Sequence, residues 1–389
     1  MADTFLGYPR ADGQVGIRNY LLMLSGTLYA NTLCERVADM LVNTIPIVHP
    51  LGRCQVKPDL ALTFKTLVGH GCNPNAGGVV VVDHFKEEGC TADEIAEEIA
   101  KTGKPVEVVN IRREGGLINA LDKALHAGMR ILRDISTQRR EEVPVSKLLF
   151  GINCGTSDAT SGLAHNPATG YCSDLIINQG GRTIMAETME MIGAEDVMLA
   201  RCKNQQVADK LAAAIKQIEQ EAIDAGADIR GSQPTGDNIV GGLSSIEEKS
   251  LGAIKKSGTA QVVDVLEYAD RPGEEPGLYV MNSPGHGGES ITGIAAGGAQ
   301  ILVFSTGGGH TINHPLMITL RVTGNPISYE KMRDTTDVSV ADIFEGTSIA
   351  EAGQRIYDEV LATASGKMTT AEIIKEYNAF AIHRIGPSI

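Results

Sequence analysis

The sequence predicts an α/β protein whose main unit is a parallel sheet covered by helices on both faces, with a smaller α/β unit before it. Two observations carry that expectation. Short apolar and β-branched runs alternate with helical patterns along most of the chain, and strands separated by helices imply parallel sheets. The charged stretch 136–145, STQRREEVPV, breaks the alternation without offering an apolar face, as a connection between folding units does. The expected division is therefore a small unit at 1–135, a linker at 136–146 and a large unit at 147–389.

The small unit opens with turn chemistry from Arg10 to Gly16, then a strand at Tyr20–Ser25 and a helical pattern over Asn31–Val42. Gly78–Val82 reads as a buried strand, 91–101 as a helix capped by Thr91, and Val106–Asn110 as the strand after Lys104-Pro105. A helix over Gly116–Ile135 closes the unit. In the large unit the strand-like runs are Lys147–Asn153, Arg182–Glu187, Gln261–Tyr268, Gly277–Ser283, Gln300–Thr306 and Met317–Thr323. Leu211, Ile215, Ile218 and Ile223 give 208–225 an apolar helical stripe, the longest helix expected.

Composition narrows the function. The 389 residues carry 34 basic and 48 acidic side chains, a net charge of -14, which repels nucleic acid and anionic membranes. The longest apolar runs are strand-sized, far short of the roughly 20 residues of a membrane span, and the N-terminal segment lacks the pattern of a secretory signal. A cytoplasmic protein is expected. Seven cysteines with no CxxC pair fit reduced thiols better than a disulfide framework or structural zinc. With no Trp, 7 Phe and 9 Tyr, recognition is expected to be polar.

Ligands of an open parallel sheet bind at the carboxyl ends of its strands, so the turn after each strand matters. Five runs end in glycine-rich or polar turns: Asn153–Asp158, Glu187–Glu190, Ser283–Glu289, Thr306–His310 and Thr323–Asn325. Cys154 reads as a nucleophile, a ligand or a packed small residue. Glu187, beside a buried run, needs a cation, a donor or a proton. His286 and His310 lie in glycine-rich turns and are candidate bases, whereas His126, His314 and His383 read as surface or packing residues. Gly307, Gly308 and Gly309 lack the spacing of a phosphate-binding loop and fit a tight turn as well as an anion cradle. Lys249 is a further catalytic candidate, although charges at such a helix start are commonly solvated. In the small unit, 49–54 and 69–75 read as two polar turns flanking an apolar helix, with Arg53 able to fork onto a carboxylate or sulfonate.

Several segments together carry a family likeness. Gly7–Asn19 (GYPRADGQVGIRN), Asn153–Asp158 with His165–Ala168, Glu187–Glu190 with Gly193–Glu195, Gly241–Gly252, Val263–Tyr268 and Ala296–Ala299 resemble the altronate/galactarate dehydratases, in order and over nearly the whole chain. The resemblance implies a lyase that removes the α-proton of a 2-hydroxy acid and expels a β-substituent with the help of a divalent metal, Fe2+. It also implies a Rossmann-like catalytic unit and dimerisation through the preceding one.

Two departures bear on the substrate. Sugar-acid members carry a small extra N-terminal domain, so here that domain is expected to be absent or a separate small alpha subunit. They also tend to read Gly-Arg-Gly and later Cys-Lys-Pro where this chain has Gly307–Pro315, GGGHTINHP. The shortened form looks most like the large subunit of the family's two-chain sulfo-lyases, which implies (2R)-sulfolactate as substrate and pyruvate and sulfite as products. Altronate or galactarate dehydration is the alternative.

The chemistry expected places metal ligands at Cys154, Asp158 and Glu187, with His286 or His310 taking the C2 proton. Arg18, Arg53 and the 307–309 turn are expected to hold the anionic end. A nicotinamide dehydrogenase would need a GxGxxG after a strand, which is not evident. A non-catalytic scaffold subunit stays open.

Overall fold

The computed structural model describes residues 3–85 and 88–389; Met1 and Ala2 of the N-terminal segment lie outside them. The first strands are β1 (Thr4–Pro9), β2 (Val15–Gly16), β3 (Tyr20–Ser25), β4 (Thr44–Ile47), β5 (Ala76–Asp83), β6 (Val106–Asn110) and β7 (Glu141–Pro144). β4, β3, β5 and β6 form, in that order, a four-stranded parallel sheet. Every residue of β5 is buried, as a central strand with both faces covered must be. Helix Ala92–Ala100 covers one face, its start fixed by reciprocal hydrogen bonds between Thr91 and Glu94. Helix Leu117–Ile135 covers the other with a buried stripe of Ala120, Ala124, Ala127 and Ile131.

The connecting stretch is more than a linker. β7 pairs antiparallel with β1, Phe5 opposite Val143 and Gly7 opposite Glu141, so its backbone groups are satisfied although its side chains are mostly exposed. Polar side chains on an edge strand hide the strand from any reading based on apolar periodicity.

Seven parallel strands make the largest of the three sheets: β8 (Leu149–Gly155), β9 (Arg182–Met185), β10 (Val262–Leu266), β11 (Gly277–Met281), β12 (Ile301–Thr306), β13 (Ile318–Thr323) and β14 (Val338–Ser339). Their order is β10-β11-β9-β8-β12-β13-β14. The chain runs from β8 outward through β9 and later resumes on the other side with β12, so the switch in direction lies between β8 and β12. Apolar layers fill both faces, one including Phe150, Ile152 and Val303, the other Ile184, Leu302 and Phe304. The amphipathic helix expected at 208–225 spans Gln205–Asp224 and is the longest among the described residues.

The two units are tied together by buried polar contacts. Helix Lys57–Cys72 packs on helix Gly287–Ala296, so Gly69–Cys72, read from sequence as a turn, is the last turn of that helix. His70 Nε2 lies 3.1 Å from His314 Nε2, and both rings are buried. Their other nitrogens assign the protons. Nδ1 of His70 donates to the Thr66 carbonyl at 2.7 Å, and Nδ1 of His314 accepts from Leu316 and Met317 N–H. His314 therefore donates and His70 accepts. His314, read as a surface or packing residue, is a hydrogen-bonded interdomain contact. The segment 379–389 also crosses the junction: Ala381 N–H reaches Thr292 Oγ1, and the Ile385 and Gly386 N–H groups reach Asp59.

Candidate functional site

A cavity of about 180 Å³ opens at the carboxyl ends of β8, β9 and β12, beside the switch point where open α/β sheets bind ligands. Residues 154–157, Glu187, Glu190, Asn238, Lys249, Gly285, Gly287, Phe304, His310 and Ile312 line it. Three of the five turns singled out from the sequence thus meet on one rim, and a fourth reaches it through Gly285 and Gly287.

The floor holds a charged group that sequence reasoning missed. Lys256 is fully buried and donates to Cys154 Sγ at 3.2 Å. It also forms an ion pair with Glu190, whose carboxylate accepts from the Cys154 thiol at 3.5 Å. Burial opposes charge on Lys256, but Cys154, Glu190 and Glu187 together hold its pKa above the ordinary value, so it stays an ammonium. Burial, with Glu190 beside it, pushes the Cys154 thiol up to about 12. The sulfur is therefore protonated at neutral pH rather than a thiolate nucleophile.

Glu187, two residues beyond β9, has a left-handed backbone conformation, φ 67° and ψ 67°. A non-glycine residue there costs on the order of 1–3 kcal/mol and is typical of functional sites. The kink is held by the Glu187 N–H donating to Ser283 Oγ at 2.8 Å. Its carboxyl accepts from Ser290 Oγ at 2.8 Å and Asn153 Nδ2 at 3.3 Å. Burial and then Glu190 raise this carboxyl well above its ordinary pKa, with Lys256, Ser290 and Asn153 opposing. A carboxyl raised in this way holds a proton more readily than a free glutamate, which makes its carboxylate the stronger base.

His310 faces the cavity against Phe304, ring centroids 5.2 Å apart. Its Nδ1 accepts from the Ile312 N–H at 2.9 Å, which leaves the proton on Nε2. Burial and then Arg321 lower its pKa, and with Nδ1 taken by the Ile312 N–H the ring turns a donor toward the cavity. His286 precedes helix Gly287–Ala296 with its side chain 69% exposed and its nearest carboxylate, Glu289, 3.8 Å away. It stands outside the lining. Lys249 does line the cavity, its Nζ donating to Gln233 Oε1 at 2.6 Å.

Other expected site residues are placed elsewhere or used differently. Asp158 accepts from Thr160 N–H and Oγ1, from Ser161 Oγ and from Asn325 Nδ2, so it fixes the loop after β8. Gly307 packs on it, and a Cβ at Gly307 would fall 2.3 Å from the Asp158 carboxyl carbon. Gly308 and Gly309 similarly make room for Thr156 and Met332. The glycines serve close packing of two loops, and none lines the cavity. Arg18 spends its guanidinium on Glu372 and on the carbonyls of Ile17, Thr363 and Lys367, leaving no donor for a substrate. Arg53 lies over the Phe85 ring in the small unit, 4.1 Å from its centroid.

The predicted iron site does not assemble. Among the described residues no group of three or more His, Cys, Asp or Glu side chains is arranged to hold a metal ion. Asp158 is committed to four donors, and the Lys256 ammonium already serves as cation to Cys154 and Glu190. Cys154, Asp158 and Glu187 therefore do not fit as a ligand set.

Sequence signals for the missed residues were faint. Glu190 follows Glu187 by one turn of the 3-10 helix Thr188–Met191. Lys256 sits in a Lys255-Lys256 pair at a helix end, which reads as solvated surface.

Comparison with known proteins finds likeness over nearly the whole chain. Residues 145–388 match the model of the D-galactarate/altronate dehydratase C-terminal domain, and residues 7–136 match that of the D-galactarate dehydratase/altronate hydrolase second domain. The chain is 37% identical over 375 residues to the (2R)-sulfolactate sulfo-lyase subunit beta of Chromohalobacter salexigens, covering 95% of each. It is 30% identical to the altronate dehydratase of Bacillus subtilis, covering 99% of this chain and 78% of that one. It is 29% identical to the galactarate dehydratase (L-threo-forming) of Escherichia coli, covering 94% and 74%.

Proposed function

The chain belongs to the D-galactarate/altronate dehydratase family of lyases, and from that premise we propose that it eliminates sulfite from (2R)-sulfolactate. In this reading it is the large subunit of a two-chain enzyme. One observation carries the choice: the 37% identity to a sulfo-lyase beta subunit extends over 95% of both chains. The dehydratases match at 28–30% and extend beyond the aligned region.

The chemistry requires a base for the C2 proton, a hydrogen-bond donor for the charge developing beside it and an exit for the β-substituent. Glu187 takes the C2 proton, its lifted pKa making the carboxylate basic enough to do so. The C2 electron pair forms the C2–C3 double bond while the C3–S bond breaks and sulfite leaves with its electron pair. Enolpyruvate then tautomerises to pyruvate, C3 taking a proton from solvent as the enol hydroxyl gives one up to solvent, and the proton on Glu187 returns to solvent. His310 donates through Nε2–H to the substrate's carboxylate or 2-hydroxyl oxygen. Lys249 leaves Gln233 to pair with the sulfonate. A sulfonate leaves without a strong acid at C3, which suits a cavity whose histidine is held neutral. A small alpha subunit completes the enzyme, and residues 1–135 form the homodimer contact.

The test uses the chain with and without its small partner, and with and without Fe2+ under anaerobic conditions, given sulfolactate, altronate or galactarate. Sulfite and pyruvate appearing together from sulfolactate is the expected outcome. Keto-deoxy acid from the sugar acids with no sulfite would replace this reading with a dehydratase.

A further inference from the structure

A second and larger cavity, about 420 Å³, lies at the opposite end of the seven-stranded sheet, where the strands begin. It forms where the Asp12–Gln14 turn of the small unit meets residues 146–149, 180–182, 271–274 and 298–300 of the large one. The motif from Arg10 to Asn19, part of the family resemblance, is thus used here and not at the catalytic rim.

Three cations face this space: Lys147, Arg182 and Arg271. Arg182, its side chain 15% exposed, uses Nη1 on the Gly273 carbonyl at 2.7 Å and on Glu274 at 3.2 Å. Arg271 uses Nη2 on Gln14 Oε1. The remaining guanidinium N–H groups of both have no hydrogen-bond partner among the described residues. Arg271 is also seated: Gly298 has φ +102°, and a Cβ there would stand 3.0 Å from Arg271 Nη2. The two acids offer little competition. Asp12 is engaged by Gln14 through N–H and side chain, and Glu274 is 94% exposed, so an incoming anion can displace it at small cost.

We propose that this cavity binds a small, multiply charged oxyanion, held between Arg182 and Arg271 with Lys147 as a third cation. Two guanidinium forks facing a shared space match paired anionic oxygens, and the volume suits a small ligand. Two sources share that chemistry, inorganic phosphate and small dicarboxylates. The proposal is independent of which substrate the catalytic cavity takes.

Isothermal titration of the full-length chain with inorganic phosphate, and separately with malonate, tests it. The expected result is saturable binding of at least one probe, the tighter arm identifying the source. Binding should weaken by about tenfold or more in Arg271→Gln and in Arg182→Gln, and tighten in Glu274→Gln, a change at an exposed side chain that leaves the fold intact. It should persist in Lys249→Gln, which alters only the catalytic cavity. Failure of both probes to saturate would overturn the proposal. So would arginine variants or Glu274→Gln that bind like the parent, or loss of binding in Lys249→Gln.

Discussion

The ammonium of Lys256 stands 3.2 Å from the thiol of Cys154 in the buried floor of the site, and Glu190 is its ion-pair partner. Breaking a buried pair strands a charge, typically costing about 3–5 kcal/mol. Lys256→Met should lower unfolding stability by that order in urea titrations, and adding Glu190→Gln should restore part of it. A loss under about 1 kcal/mol for the single variant would mean the pair is not held as described.

Glu187 gives a pH prediction with a definite sign. Its folded pKa is raised above the ordinary 4.5, so the folded chain binds the proton more tightly than the unfolded one. Stability therefore falls as pH rises from 4.5 through the raised value. Glu187→Gln should flatten that fall while abolishing proton abstraction. Parallel stability profiles of the two proteins, or an undiminished lyase rate in the variant, would remove Glu187 from its role.

The His70–His314 contact behaves in the opposite sense. Burial lowers both pKa values, that of His70 to about 4. The stability from the neutral pair is fully present above 6.5 and is lost as pH falls toward 4. His314→Asn keeps an acceptor for the Leu316 and Met317 N–H groups but leaves His70 Nε2 unpaired, costing about 1–3 kcal/mol. Its acid limb should be shallower than that of the parent in pH-dependent thermal melts.

Gly307→Ala would place a methyl group against the Asp158 carboxyl. Overpacking of this kind costs about 1–3 kcal/mol, and the loop carrying Thr156 and Ser157 would shift. Lyase activity should fall more than stability does, read as a drop in kcat/KM at a temperature where the variant is fully folded.

Much of this architecture was legible in the residue pattern. Tyr20–Ser25 and Val106–Asn110 are strands with the predicted limits, because an apolar run between turn residues has few other ways to be buried. Glu187 was legible for a related reason, since a carboxylate directly after such a run needs a special environment. Lys256 was not, because a dibasic helix end is ordinarily solvated and only tertiary packing buries it. Arg18 misled for the converse reason. An arginine in a glycine-rich motif suggests an anion, but its anion is Glu372, which no local pattern connects to it. His310 was found but its proton was not, since the Ile312 N–H that fixes the tautomer is a matter of loop conformation.

The Arg18–Glu372 pair joins positions 354 residues apart. Closing so long a loop costs entropy that grows only logarithmically with length, and the pair forms only where the small unit meets the segment around Thr363–Glu372. Until then a guanidinium destined for burial lacks Glu372 and the Thr363 and Lys367 carbonyls, and only the neighbouring Ile17 carbonyl is at hand. Assembly of the two units is therefore coupled to the pairing of a single buried charge. A misdocked small unit would leave that charge unpaired, which makes the wrong arrangement the less stable one.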